Sequence, residues 1–223
     1  MSKGLGKSVN NFAALFDMDG VLIDSVKYHW IAMNEVLADY DIHIADADLR
    51  KYIGQPLYSQ VKQLGEEYNK KLDYDEFLTR TTARKQELLA NIEPKEGVVA
   101  LLELLKADSI PMAVATSNTR AETERRLEVA GIRDYFAALI TEDDVAEHKP
   151  DPTVYLTAAK AVNMPPENCV VFEDAPAGIE AAKRAGMKCV AVQTPVTTTE
   201  DLSEASTSVA SLDDVSLDLI ENL

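Results

Sequence analysis

The sequence is poor in cysteine, tryptophan and histidine, with two, one and three residues among 223. Two cysteines cannot build the disulfide framework of a small secreted domain, and both lie in apolar runs. We therefore expect Cys169 and Cys189 to be buried free thiols. No stretch approaches the roughly 20 apolar residues of a membrane helix. Because the first residues also lack the apolar segment of a secretory signal, we predict a cytoplasmic protein that contacts no membrane.

Positive charge is also scarce, since 22 Lys and Arg stand against 38 Asp and Glu, for a net charge of −16. A chain of this charge repels phosphate backbones, and no local basic cluster offsets the repulsion, so we predict no nucleic-acid partner. The acidic surface favours a soluble monomer, with a dimer as the alternative. A hydrophobic content of 46% is ordinary for a folded domain of this length, which excludes a wholly disordered chain.

Short apolar runs recur along the chain, and each ends at polar residues. Runs bounded in this way are typical of strands that are buried on both faces of a parallel sheet. The predicted strands lie at residues 12–16, 111–115, 137–140, 169–172, 188–192 and 207–210. The helices predicted between them lie at residues 98–105, 119–131, 151–163 and 176–185. This alternation predicts an α/β fold with a doubly wound, Rossmann-like parallel sheet.

Residues 25–94 interrupt the alternation. They show no strand pattern and contain four polar-rich helical stretches, at 25–40, 46–52, 57–70 and 73–91. The segment begins directly after the first strand and its loop, and it ends at a Pro/Gly-containing hinge. We therefore predict an inserted α-helical cap domain at 25–94 and an α/β core domain formed by 1–24 and 95–223.

Acidic and polar residues follow the predicted strands at the points where the strands end. Asp17 and Asp19 come after the first strand, Thr116 after the second, and Glu173 and Asp174 after the fourth. Ligands bind outside the carboxyl ends of the strands in open α/β sheets, so we expect these groups to converge. Carboxylates so close together need a compensating cation, and Mg²⁺ prefers oxygen ligands together with a substrate phosphate.

These groups suit phosphoryl transfer. Lys149, in a polar loop, and the hydroxyl of Thr116 supply the donors that a phosphoryl group needs. Asp17 can act as a carboxylate nucleophile that passes through an aspartyl-phosphate. Asp19, two residues further along an extended chain, can serve as general acid for the leaving oxygen and then as general base for water.

Four segments resemble, in order, the motifs of the haloacid dehalogenase superfamily. They are Asp17–Ser25 (DMDGVLIDS), Thr116–Asn118 (TSN), Lys149–Pro152 (KPDP) and Val171–Ile179 (VFEDAPAGI). The helical insert after the first motif is similar to the cap of the subgroup that includes phosphoglycolate phosphatase and β-phosphoglucomutase. The resemblance covers nearly the whole chain and implies an enzyme that hydrolyses phosphoric monoesters.

The resemblance also implies a role for each motif residue. Asp17 would be the nucleophile and Asp19 the acid/base, while Thr116 and Lys149 would bind the transferred phosphoryl group. The implied Mg²⁺ ligands are Asp17, the main-chain carbonyl of Asp19, Asp174, and Glu173 either directly or through water. The main-chain amides of Gly20, Ser117 and Asn118 would line the phosphate pocket. Further substrate-binding candidates, chosen because they lie in the insert, are Gly54, His29 and Arg84.

Two differences from other members of the family indicate which reaction the chain catalyses. Asp19 and the Glu173–Asp174 pair disfavour dehalogenation, which needs neither an acid nor a metal. The β-phosphoglucomutases resemble one another in a Gly-x-x-Arg segment of the cap, whereas this chain has leucine at the fourth position, Leu57. We therefore predict a Mg²⁺-dependent phosphatase of a small phosphorylated metabolite, such as a sugar phosphate or phosphoglycolate. A β-phosphoglucomutase-like mutase is the alternative, and a non-catalytic phosphometabolite-binding protein is the alternative of another class.

Overall fold

The computed structural model describes residues 12–45, 48, 51–52, 56–195, 197, 199 and 201–223. The chain divides into two compact units, which we call the core unit and the cap unit. The core unit consists of the chain up to Leu22 and from Pro94 onward, and the cap unit is Ile23–Glu93. The cap unit thus spans residues 23–93, whereas the predicted cap domain spans residues 25–94.

The core unit is built on a six-stranded sheet in which every neighbouring pair is parallel. Its strands are β1 (Ala13–Phe16), β2 (Met112–Ala115), β3 (Ala138–Ile140), β4 (Cys169–Glu173), β5 (Lys188–Val192) and β6 (Thr207–Val209). The spatial order is β3-β2-β1-β4-β5-β6, which is the doubly wound arrangement. Strands β1, β2 and β4 are buried along their whole length. The predicted α/β fold class is therefore confirmed.

The α-helices of the described chain fall in both units. In the cap unit they are α1 (Ser25–Ala38), α2 (Leu57–Glu67) and α3 (Tyr74–Leu88). In the core unit they are α4 (Val98–Ala107), α5 (Arg120–Val129), α6 (Thr153–Ala161), α7 (Pro176–Arg184) and α8 (Leu217–Glu221). None of the helices within the described ranges combines the length and apolar character that a membrane span needs.

Helix α5 begins as its sequence predicts, whereas α6 begins one residue later than predicted. The Thr119 side chain accepts a hydrogen bond from the Glu122 backbone N–H at 3.3 Å, so it caps α5. Asp151 was predicted to cap α6, with Pro152 as the first helical residue. The helix starts at Thr153, and Asp151 Oδ1 accepts a hydrogen bond from the Thr153 backbone N–H at 3.0 Å.

The cap unit has an apolar core of its own. Trp30, Met33 and Leu37 of α1 pack in one buried cluster with Leu64 of α2 and Phe77 of α3. Between residues 25 and 94, the described part of the chain holds three α-helices and no strand, in keeping with the helical prediction. The helix predicted at 46–52 falls largely outside the described residues.

The core unit contains the two cysteines. Cys169 begins β4 and Cys189 lies in β5, and both are buried free thiols in the apolar cluster beneath the sheet, as predicted. Burial raises the pKa of Cys169 to about 11 and raises that of Cys189 further, so both remain protonated at neutral pH. They contribute to packing.

Candidate active site

Strand order brings three polar segments to one edge of the sheet. Because β1 lies between β2 and β4, Phe16 is in register with Val114 on one side and Phe172 on the other. The residue after β1, Asp17, continues this pairing and donates its backbone N–H to the Phe172 carbonyl at 2.9 Å. Asp17 and Thr116, which follow β1 and β2, and Glu173, the last residue of β4, therefore lie at the carboxyl edge of the sheet, as predicted.

A buried ammonium group joins two of the acids. Lys149 Nζ lies 2.5 Å from Asp17 Oδ1 and 2.7 Å from Glu173 Oε1. The Lys149 side chain is only 9% exposed and that of Glu173 only 2%. Groups that are 132 and 24 residues apart in sequence thus form one ion-paired triangle, in which Lys149 fixes the position of the Asp17 carboxylate.

Glu173 uses both of its oxygens within the protein. Oε1 accepts from Lys149 and from the Tyr155 hydroxyl at 3.0 Å, while Oε2 accepts from the backbone N–H groups of Asp174 and Ala175 at 2.8 and 2.9 Å. The residue next to this carboxylate must be a glycine, because a Cβ at position Gly178 would lie 1.6 Å from Glu173 Oε1. Glu173 is therefore held rigidly, and its hydrogen bonds orient Lys149.

Negative charge exceeds positive charge around Asp17. Burial raises the pKa of the Asp17 carboxyl well above its usual value, Lys149 opposes the rise, and Glu173 and Asp174 add to it. Burial, together with Glu173, raises the pKa of Asp174 to about 7. Burial alone would lower the pKa of Lys149, but its two carboxylate partners raise it above the usual value. The uncompensated negative charge at the site would therefore favour binding of a further cation.

Gly20 shapes the space beside Asp174. Its φ of +83° is in the left-handed region, and a Cβ there would lie 2.0 Å from Asp174 Oδ2. The Gly20 carbonyl also accepts a hydrogen bond from the Lys95 ammonium group. The glycine therefore serves two purposes, since it turns the chain after the first acids and leaves room for the Asp174 carboxylate.

Asp19 faces a different set of partners. Asp19 Oδ1 lies 3.2 Å from Arg126 Nη1, and Asp19 Oδ2 accepts a hydrogen bond from Asn118 Nδ2. The same Asn118 amide lies 2.8 Å from the Thr116 hydroxyl. Asp17 and Asp19, two residues apart, are thus each matched with a separate buried cation, Lys149 for the first and Arg126 for the second.

The four acids predicted as metal ligands do not form a ready-made side-chain cage. No group of three or more His, Cys, Asp or Glu side chains in the described residues could by itself hold a metal ion. The reason is the direction of two carboxylates, because Glu173 faces Lys149 and backbone amides while Asp19 faces Arg126 and Asn118. The buried Asp17 and Asp174 carboxylates remain, and their chemistry fits Mg²⁺, which takes one or two carboxylates plus water and phosphate.

The substrate-binding candidates of the cap unit have structural partners. The Arg84 guanidinium pairs with Glu35, with Nη2 at 3.1 Å from Oε1, and with Glu87 at 2.8 Å. His29 packs edge-on against Trp30, and burial, with neighbouring Lys85, lowers the pKa of His29 to about 4. Gly54 lies outside the described residues. In the core unit, Ser117 is exposed beside partly buried Asn118.

Sequence analysis did not identify three residues that contact the site. They are Arg126, Lys95 and Tyr155, whose hydroxyl donates a hydrogen bond to Glu173. All three are held by partners distant in sequence, at separations of 107, 75 and 18 residues.

Comparison with known proteins places this geometry in a family. Residues 14–192 match the family model described as haloacid dehalogenase-like hydrolase. A fructose-1-phosphate phosphatase of Escherichia coli is 35% identical over 80% of this chain and 95% of its own. A β-phosphoglucomutase of Bacillus subtilis is 32% identical over 81% of this chain and 82% of its own.

A solved structure agrees with these matches. The crystal structure of a HAD family hydrolase from Deinococcus radiodurans, with bound phosphate and sodium, superposes with a TM-score of 0.83 at 26% identity. It covers 96% of this chain, and this chain covers 97% of it. The family match spans strands β1 to β5 and every acidic motif at the edge of the sheet. The chain therefore belongs to the haloacid dehalogenase-like hydrolases, as an enzyme of the phosphatase type.

Proposed function

We propose that the chain is a Mg²⁺-dependent phosphatase of a small phosphorylated metabolite, with a sugar phosphate as the first candidate substrate. The observation that carries the proposal is the buried Asp17 carboxylate, held 2.5 Å from Lys149 at the end of the central strand. An anchored carboxylate beside a buried ammonium group suits attack on a phosphorus whose oxygens the ammonium neutralises. Similarity to a fructose-1-phosphate phosphatase supports the substrate class.

The proposed first half-reaction transfers the phosphoryl group to the protein. A carboxylate oxygen of Asp17 attacks phosphorus, and the bond between phosphorus and the leaving oxygen breaks. Asp19 in its acid form gives its proton to the leaving oxygen, which departs as an alcohol. Lys149 and the Thr116 hydroxyl bind the phosphoryl oxygens as their charge develops.

The second half-reaction returns the protein to its starting state. The Asp19 carboxylate takes a proton from water, the water oxygen bonds to phosphorus, and the bond from phosphorus to Asp17 breaks. Inorganic phosphate leaves, and Asp17 is again a carboxylate while Asp19 is again an acid. Each bond that forms is matched by one that breaks, so no further reactant is needed.

The carboxylates of Asp17 and Asp174, with the main-chain carbonyl of Asp19, would hold the metal ion. When bound, Mg²⁺ would neutralise the charge on the phosphoryl oxygens. Glu173 would act through Lys149 and the backbone, because its oxygens already accept four hydrogen bonds. The excess of carboxylate charge beside Asp174 supports this assignment.

A sugar-phosphate mutase is the second candidate, supported by the similarity to a β-phosphoglucomutase. A mutase must hold a second phosphate while the sugar turns over, which favours a cationic side chain in the cap. Two features weigh against it: α2 starts with Leu57 where the mutases have arginine, and Arg84 is paired with Glu35 and Glu87.

The test is phosphate release in the presence of Mg²⁺ from fructose 1-phosphate, phosphoglycolate and β-glucose 1-phosphate. Release by the wild-type chain is expected to fall by at least about 10⁴-fold in Asp17→Asn, because the amide cannot serve as the nucleophile. Release that persists in Asp17→Asn contradicts the proposed mechanism.

Two other outcomes identify the alternatives. Interconversion of β-glucose 1-phosphate and glucose 6-phosphate without net phosphate release indicates the mutase. Phosphate or substrate binding without any turnover indicates the non-catalytic binding protein.

A further inference from the structure

Arg126 is a buried cation that the proposed reaction does not yet use. It lies on α5, and its side chain is only 7% exposed. Its Nη1 is 3.2 Å from Asp19 Oδ1, and its Nη2 is 3.3 Å from Glu122 Oε1. The next residue towards the N-terminus, Arg125, is exposed on the same helix, so α5 does not bury arginine in general.

Arg126 also sets the orientation of Asn118. Arg126 Nη1 lies 3.4 Å from Asn118 Oδ1, and a guanidinium can only donate hydrogen bonds. The carbonyl end of the Asn118 amide therefore faces Arg126, and its Nδ2 faces Asp19 Oδ2 and the Thr116 hydroxyl. Each oxygen of Asp19 is thus held from a different side, Oδ1 by Arg126 and Oδ2 by Asn118.

Stability does not explain this arrangement. Among the described residues, Arg126 Nε is one of the buried side-chain polar atoms without a hydrogen-bond partner. A charged group that is taken out of water and left with an unpaired N–H is unfavourable for folding. A shorter apolar residue at this position would fill the site without that cost, so the geometry favours a role in the reaction.

We infer that Arg126 is a positioning residue that holds the Asp19 carboxyl group, directly and through Asn118, in the orientation needed for proton transfer to the leaving oxygen. The inference rests on the proposed function, since it concerns the acid/base of that reaction. Two contacts on opposite oxygens fix the plane of a carboxyl group, whereas one contact leaves it free to rotate.

If the inference is right, the loss of rate in an Arg126 variant depends on the leaving group of the substrate. As the bond from Asp17 to phosphorus forms and the bond to the leaving oxygen breaks, a sugar alkoxide must receive the Asp19 proton. p-Nitrophenolate is stable as an anion and departs without that proton. A misplaced Asp19 therefore slows phosphoryl transfer from a sugar phosphate much more than transfer from p-nitrophenyl phosphate.

The experiment compares kcat/KM for the best sugar phosphate with kcat/KM for p-nitrophenyl phosphate, because this parameter ends at formation of the phospho-enzyme. In Arg126→Met we expect kcat/KM to fall about tenfold for the sugar phosphate and less than about twofold for the aryl phosphate. The matched control, Arg125→Met on the exposed side of the same helix, is expected to change neither. Equal losses on both substrates would overturn the inference, since a structural defect affects both alike.

A double-mutant cycle tests whether Arg126 acts through Asp19. In an Asp19→Asn background, Arg126→Met should leave the ratio of the two kcat/KM values unchanged. An additional tenfold change there would also overturn the inference. Arg126→Lys, which keeps the charge but loses the planar fork, should show a smaller selective loss of about threefold, and it carries the test if the methionine variant does not fold.

The activity of the wild-type chain shows whether a negative result contradicts this inference alone or the proposed function as well. If it releases no phosphate from either substrate, both are contradicted, because no reaction exists for Asp19 to serve. If it is active and the Arg126 variants lose activity without selectivity, only the positioning role fails. Thermal unfolding of each variant in Mg²⁺ buffer shows which losses come from unfolding.

Discussion

Two cations beside the candidate site in the core unit differ in burial from two arginines of the cap unit. In the core unit, Lys149 and Arg126 are less than one tenth exposed, and each pairs with a carboxylate at the edge of the sheet. In the cap unit, Arg80 and Arg84 pair with acids at positions that are 37% and 40% exposed. Buried pairs are costly unless complete, whereas exposed pairs contribute little. Lys149 and Arg126 are therefore buried beside the candidate site, whereas Arg80 and Arg84 lie on a solvated surface.

The largest expected difference is between Lys149→Met and Arg84→Met. Removal of Lys149 leaves the buried Asp17 and Glu173 without their cation, so we expect a loss of about 3–5 kcal/mol in the free energy of unfolding. Activity should also fall by about 100- to 1,000-fold, because a donor to the phosphoryl group is lost.

Arg84→Met, the matched control in the cap unit, removes exposed pairs with Glu35 and Glu87 and is expected to cost less than about 1 kcal/mol. Urea unfolding of both variants, monitored by circular dichroism, measures the difference. Similar losses for the two variants would remove the contrast between core and cap charges.

A second comparison uses two glycines of the core unit that share a left-handed backbone. Gly20 has a φ of +83° and Gly131 a φ of +69°, so alanine at either position costs roughly 1–2 kcal/mol. Only at Gly20 does the new Cβ collide with Asp174, while at Gly131 nothing lies within 4 Å. We therefore expect Gly20→Ala to lower activity about 100-fold and Gly131→Ala to lower it less than about twofold.

The melting temperature with and without Mg²⁺ isolates the cause of that loss. Mg²⁺ should raise the melting temperature of the wild-type chain and of Gly131→Ala, because the ion binds only the folded protein. Gly20→Ala should lose this response. An undiminished Mg²⁺ response in Gly20→Ala would show that Asp174 does not need the space that the glycine leaves.

The smallest expected effect concerns the pH dependence of the cap unit. Burial, with Lys85, lowers the pKa of His29 to about 4 from its usual 6.5, so the unfolded chain binds the proton more readily in this interval. The free energy of unfolding should therefore rise as pH increases from about 4 to 6.5, by no more than about 2 kcal/mol because His29 is partly exposed.

Replacement of His29 by glutamine should flatten that part of the stability curve and leave the rest unchanged. Chemical unfolding at pH 4.5, 5.5, 6.5 and 7.5 in both chains measures the difference between the slopes. An unaltered slope in His29→Gln would assign the pH dependence to the carboxyl groups of the core unit.

Local patterns predict the fold well. The apolar runs predict all six strands, of which β1, β2 and β4 are buried along their whole length. Thr119 predicts the start of α5 because capping is a local interaction. The start of α6 is wrong by one residue, since the helix begins at Thr153 and Pro152 lies just before it.

The site is predicted less completely, because its details depend on long-range partners. The motifs bring Asp17, Thr116 and Lys149 to the correct edge of the sheet. They do not reveal that Glu173 would use both oxygens internally, or that Arg126 would reach Asp19 across 107 residues of sequence. Helix α5 has few apolar residues, so its pattern does not indicate which of its arginines faces inward.

The central position of β1 has a consequence for the order in which the molecule can fold. This first strand has its neighbours at Met112–Ala115 and Cys169–Glu173, so about 150 further residues must be synthesised after it before both sides of it are paired. Until then the segment that ends in Asp17 is an apolar strand with two open edges, which is a template for aggregation. The cap unit, whose apolar cluster lies within residues 23–93, has no such delay. Folding of the catalytic edge is therefore tied to the synthesis of β4, and contacts of this sequence separation make it slow.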